Sequence, residues 1–189
     1  MKLLKIPYDT PQKLFSIYQP NADYILFSEP FPTPYELIQN SRTNENFSHV
    51  ITFLAHGLPI REAVWWAVCC ASKRTDWNES ELNAIQSARA WVHAPDEANR
   101  RYAEDMAKKA GLESGAGWAA QSAFWSGGSM IDPDSPEVLP PAYLYAQAVS
   151  GCITLTAVLP YGENAEQRYN EFIDIGLNIA MGGNGKVEK

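Results

Sequence analysis

Three polar side chains crowd the break between two apolar stretches in FLAHGLPIREAVWWAVCCAS, residues 53–72: His56 precedes the break, and Arg61 and Glu62 follow it. An imidazole that titrates near neutrality is suited to general acid–base work, a carboxylate can orient it, and a guanidinium can hold an anion. A small hydrolase or transferase could therefore use Glu62 to orient His56 and Arg61 to hold its substrate. Helix-end electrostatics accounts for two of the three without chemistry. His56 falls in a C-terminal turn, where positive charge is favoured, and Glu62 in a first turn, where negative charge is favoured. Arg61 could tie the connection through hydrogen bonds to carbonyls. This simpler account carries more weight, and His56, Arg61 and Glu62 are retained as candidate binding residues.

The remaining reactive types make weaker patterns. Cys69 and Cys70 lie in a helix that is apolar on every face, and desolvation raises a thiol pKa and blunts its nucleophilicity. His49 and His56 lie seven residues apart, about 10 Å along a helix axis, too far for two rings to share one zinc. HExxH, CxxC and calcium-loop patterns are missing, so no metal is expected, and no motif calls for a cofactor. FWSGGSM has serines beside glycines without the Gly-x-Ser-x-Gly order of a nucleophile elbow. Its Gly127 and Gly128 read as a helix C-cap that also lets a partner backbone approach, and Trp125 stands beside them. Trp125, Gly127 and Gly128 complete the set of candidate binding residues.

Helices must position these groups. TPQKLFSIY and TPYELIQN each open with Thr-Pro, placing Thr10 and Thr33 as N-caps, with Glu36 completing a capping box. ADYILFS between them fits either a helical turn or a short extended piece. Phe47, Val50, Ile51 and Leu54 form one buried stripe, Gly57 suits a left-handed residue after its end, and Pro59 starts the next helix. Asn78 and Glu81 open ESELNAIQSARAWVH. Asp96 and Glu97 begin, and Lys108, Lys109 and Gly111 end, a surface helix whose narrow stripe is Ala98, Tyr102, Met106 and Ala110. GWAAQSAFWSGG is short and central, and MIDPDSPEVLPP is a loop. AYLYAQAVSGCITLTAVL makes an uncharged buried helix. Asn164 and Gln167 cap the last one. About eight helices with short connections imply an all-α fold, a single bundle or a short stacked array of helical hairpins. One domain over 1–189 is expected, with N-terminal helices within 1–40 and a frayed tail over 182–189.

Bulk properties exclude several functions. Net charge is −7 and no Lys/Arg run exceeds two residues, which argues against a nucleic-acid surface. The three cysteines lack a disulfide framework and point to reduced thiols in a cytosol. The uncharged segment between Glu137 and Glu163 is diluted by Gln147, Ser150, Gly151, Thr154 and Thr156 and lacks basic flanks, which disfavours membrane insertion.

FLAHGLPIREAVWWAVCCA, GWAAQSAFWSGGSM, the Pro-Pro loop and RYNEFIDIGLNIAMGG, in that order, resemble a family of bacterial proteins with no assigned activity. The similarity runs from about Phe47 to Gly182, and the N-terminal forty residues follow it less well. The resemblance implies genes that neighbour type VI secretion genes, near spike, PAAR-like and effector-loading components. It implies in turn an accessory, adaptor or chaperone role. The leading expectation is a cytoplasmic, non-enzymatic interaction protein whose grooved helical surface takes a partner helix or tail. The alternative is the enzyme built on His56 and Glu62, and a third reading is a secreted effector.

Overall fold

The computed structural model describes residues 1–187. It carries ten helices and, among the described residues, no strand: α1 (Pro11–Phe15), α2 (Ala22–Ser28), α3 (Pro34–Thr43), α4 (Phe47–Gly57), α5 (Ile60–Ala71), α6 (Glu79–His93), α7 (Glu97–Ala110), α8 (Gly115–Phe124), α9 (Leu144–Val158) and α10 (Ala165–Ala180). The fold is all-α, with ten helices where about eight were expected. ADYILFS is helical because the Asn21 carboxamide accepts the Tyr24 N–H at 2.8 Å and starts a turn.

The helix starts show how far local chemistry reaches. Asn78 and Glu81 close a full capping box, each side chain accepting the other's backbone N–H, at 3.0 and 2.9 Å. At α3 the box is half made: Thr33 accepts from the Glu36 N–H, and the Glu36 carboxylate turns to the Thr33 hydroxyl instead of its N–H. Thr10 makes no side-chain cap, leaving Pro11 to start α1. The expected Asn164–Gln167 pair does not form. Asn164 (φ −115°, ψ 26°) lacks the extended backbone that aims a capping side chain at the first turn.

Two further expectations are corrected. Gly57 is not left-handed but is the last helical residue of α4. A Cβ there would stand 3.1 Å from Leu14 and 3.3 Å from Ile6, so its smallness admits the N-terminal segment. On α7 the buried residues are Arg100, Ala103, Met106 and Ala107, while Tyr102 is exposed. The helix is rotated from the expected stripe because Arg100 finds polar partners inside.

α5 lies at the centre, packed against α6, α8, α9 and α10. Trp66 is fully buried and donates its indole N–H to the Phe172 carbonyl of α10 at 2.7 Å. Gly176 leaves room for that ring, since a Cβ would come within 2.8 Å of it. The neighbouring line, Trp65 and Cys69, stays half-buried even with residues 184–185 beside it. The Trp65 indole N–H donates to the Asn184 carbonyl, and Gly185 packs over the Cys69 sulfur. Of the tail expected to fray, residues 182–187 are thus described, while 188–189 lie outside the described residues. α9 is the uncharged helix, buried along Ala146, Val149, Cys152 and Ile153. Among the described residues, no helix is long and apolar enough to cross a membrane.

Candidate functional site

His56 sits at the end of α4 with 3% of its surface exposed. Its Nδ1 lies 2.7 Å from the Thr52 carbonyl one turn back. A carbonyl only accepts, so Nδ1 carries the proton and Nε2 is left as an acceptor. That acceptor has one weak neighbour, the Gln147 amide nitrogen of α9 at 3.4 Å. The ring stacks on Tyr18 at 4.5 Å between centroids and meets Tyr143 at 6.0 Å. Burial holds the imidazole pKa below its ordinary value, against the opposing effect of the Thr52 bond. His56 is therefore a neutral, oriented imidazole in an aromatic setting.

Two clefts meet at this residue. One, of about 640 Å³, runs from Pro20 and Asn21 past His49 and Thr52 to Gln147. The other, of about 660 Å³, runs from Tyr8 past Leu58 and Ile60 to Tyr145. They share His56, Ala142 and Tyr143 and so adjoin on one grooved surface. Among the described residues, none that lines it is Asp, Glu, Lys or Arg. One wall comes from the N-terminal segment and the other from α4, α9 and the residues before α9.

One left-handed residue and one unpartnered hydroxyl lie here. Tyr143 adopts φ 63°, a left-handed conformation that costs a bulky residue about 1–2 kcal/mol. Such outliers concentrate where a side chain must be aimed for function, and this one brings the Tyr143 ring between His56 and Tyr145. Burial, and then the neighbouring Tyr143 hydroxyl, push the Tyr8 phenol pKa up. The Tyr18 hydroxyl is buried without a hydrogen-bond partner, and that desolvation pushes its pKa strongly upward.

Arg61 and Glu62 are drawn elsewhere. The Glu62 carboxylate pairs with Lys5 Nζ at 2.9 Å, and Arg61 Nε donates to the Val92 carbonyl at the end of α6. The structure thus brings neither residue to the His56 ring. Arg61 does tie a carbonyl, but on a different helix from the connection it follows.

Trp125, Gly127 and Gly128 form a separate cluster, and no residue lining the groove comes from 125–128. Its organiser is Arg100 of α7, 4% exposed. Arg100 Nη1 donates to the Phe124 carbonyl and Nη2 to the Ser129 carbonyl, both at 2.9 Å, while Nε and Nη2 grip Glu97. The two arginines behind it, Arg100 first and then Arg101, hold the Glu97 carboxyl at about 2. Gly128 (φ 67°) lies over the guanidinium, where a Cβ would sit 2.9 Å from Arg100 Nε. Gly127 faces open space, and Trp125 packs edge-on against Trp118. The Ser129 hydroxyl accepts from the Ile131 and Val138 N–H groups and pins the following loop.

The thiols are quiet. Burial raises Cys69 to about 11 and Cys152 to about 12, and Cys70 goes well above its ordinary value. Among the described residues, no group of three or more His, Cys, Asp or Glu comes together to hold a metal ion.

Sequence reading missed Tyr8, Tyr18, Tyr143 and Arg100. Gln147 left a trace as a long polar residue in an otherwise bland helix. Arg100 left none, since it occupies the expected polar face of α7.

The model of a family of unknown function, DUF6931, matches residues 37–180. No curated protein and no solved structure matches the chain.

Proposed function

This chain belongs to DUF6931, a family of unknown function, and we propose that it is a non-enzymatic interaction protein whose groove at His56 receives a segment of a protein partner. The observation that supports this reading is the pair of adjoining, charge-free clefts that share a left-handed Tyr143. A neutral lining that mixes tyrosine and histidine with aliphatic, proline and amide side chains favours contact area and hydrogen bonds over charge, as protein recognition surfaces do near their centres. Acid–base catalysis gains little support. His56 Nδ1 is committed to a backbone carbonyl, and Glu62 is committed to Lys5.

The secretion-locus setting implied by the sequence resemblance makes a secretion or effector component the first partner to test, in an adaptor or chaperone role. The test uses affinity purification with mass spectrometry on the native chain, Ala142→Glu and Gly127→Ala. Ala142 is exposed on the groove wall, so the added carboxylate alters the groove without entering the core. The expected result is a partner captured by the native chain and by Gly127→Ala but lost with Ala142→Glu. Retention of every partner by Ala142→Glu would remove the groove from the account.

A further inference from the structure

Asn184 is the one asparagine in the sequence that a glycine follows. The carboxamide carbon of an asparagine can be attacked by the backbone nitrogen of the next residue, and a glycine there leaves the approach free of any side chain. In that reaction the Gly185 nitrogen bonds to Asn184 Cγ, its proton passes to solvent base, and ammonia leaves from the carboxamide. Water then opens the resulting succinimide ring at either carbonyl. One opening yields aspartate. The other yields isoaspartate, whose main chain runs through the former side chain.

The fold both readies this pair and restrains it. Asn184 is exposed, so base and water reach its carboxamide. Its Oδ1 accepts the Lys186 N–H at 3.0 Å, which folds the carboxamide back along the chain that follows and draws electron density from Cγ. The attacking nitrogen is held. Gly185 is buried, and its N–H donates to Asn178 Oδ1 of α10 at 2.8 Å, so the proton that must leave is engaged. Asn178 reaches it past Gly183, where any Cβ would collide with the Asn178 carboxamide. The Trp65 indole N–H grips the Asn184 carbonyl at 2.9 Å and ties the segment to α5.

We propose that Asn184–Gly185 is a self-modifying site kept latent by Asn178, and that its conversion to isoaspartate unties residues 184–185 from α5. In isoaspartate the carbonyl that Trp65 grips leaves the main chain and becomes a side-group carboxylate. Gly185 then follows a main chain lengthened by a methylene and loses its register over Cys69.

The test incubates the full chain at mildly alkaline pH and follows the peptide around residue 184 by mass spectrometry, with isoaspartate resolved by chromatography. Conversion in the folded chain is expected to be about tenfold slower than in the same chain unfolded in guanidinium, because two hydrogen bonds must open first. Asn178→Ala removes one of them and should speed conversion about fivefold. Gly128→Ala destabilises the fold far from this segment and should leave the rate unchanged. Cys69, whose burial holds its pKa at about 11, should alkylate about tenfold faster in converted protein than in Asn184→Gln incubated alongside. Equal rates in folded and unfolded chain overturn the latch, as does a rate that Asn178→Ala leaves unchanged. Acceleration by Gly128→Ala as large as that by Asn178→Ala assigns the reaction to global unfolding and overturns it as well. Cys69 labelling that conversion does not alter overturns the untying.

Discussion

Two adjacent glycines should respond in opposite ways to the same methyl group. At Gly128 an alanine meets two penalties. The left-handed φ of 67° costs a side chain about 1–2 kcal/mol. The new Cβ would also stand 2.9–3.0 Å from three atoms of the Arg100 guanidinium. That guanidinium is buried and tethered on three sides, to Phe124, Ser129 and Glu97, so it cannot swing away as a free side chain would. Displacing it weakens at least one charge-assisted hydrogen bond to a carbonyl, about 1.5–3 kcal/mol. Together Gly128→Ala should destabilise the fold by about 2.5–5 kcal/mol. In a chain of this length that lowers the melting temperature by roughly 5–20 °C. Gly127→Ala meets nothing within 4 Å and should change stability by less than about 0.5 kcal/mol. Urea denaturation followed by tryptophan fluorescence measures both. A loss at Gly128 no larger than that at Gly127 would refute the claim that this loop is built around the buried arginine. So would an undiminished Gly128→Ala penalty when Arg100 is also changed to alanine, because the clash would then be gone and only the backbone cost would remain.

Burial holds the His56 and His49 pKa values below 6.5, so the unfolded chain binds more protons in mildly acidic solution. Stability should therefore be fully present above pH 6.5 and fall as pH drops below it. His56→Gln should flatten that fall in urea midpoints measured across the acidic range, and an unchanged slope would place the proton uptake elsewhere. Gly176→Ala drives a methyl into the fully buried Trp66 ring and should cost about 1–3 kcal/mol, with a shift in the emission of that tryptophan. Native alkylation at neutral pH should reach Cys69 slowly and Cys70 and Cys152 hardly at all. The Cys69 rate should rise about tenfold per pH unit toward its pKa of about 11, and fast labelling of both vicinal thiols near neutrality would show an open α5.

Much of the architecture was legible locally. Apolar residues at helical spacing, Thr-Pro and Asn-x-x-Glu starts and the Gly111 stop are decided within a few residues, which is why the Asn78–Glu81 box and the α7 C-terminus read correctly. The uniformly apolar body of α5 marked it as central for the same reason. Cap chemistry failed where the backbone angle of the cap itself depended on what came before, as at Asn164.

The amino-acid order alone thus determined the helical class and the central place of α5, whose Trp66 and Cys70 are fully buried, while its Trp65–Cys69 line stays half-exposed where an apolar body on every face had implied full enclosure. Only the tertiary structure decided which polar groups would meet. Glu62 lies six residues from His56 yet pairs with Lys5, while Gln147, far along the chain, reaches the imidazole. Arg100 turns inward because carbonyls at the end of α8 need donors that no nearby residue supplies. The groove has the same origin, since its two walls come from segments that sequence spacing does not relate, and long-range packing alone sets them face to face.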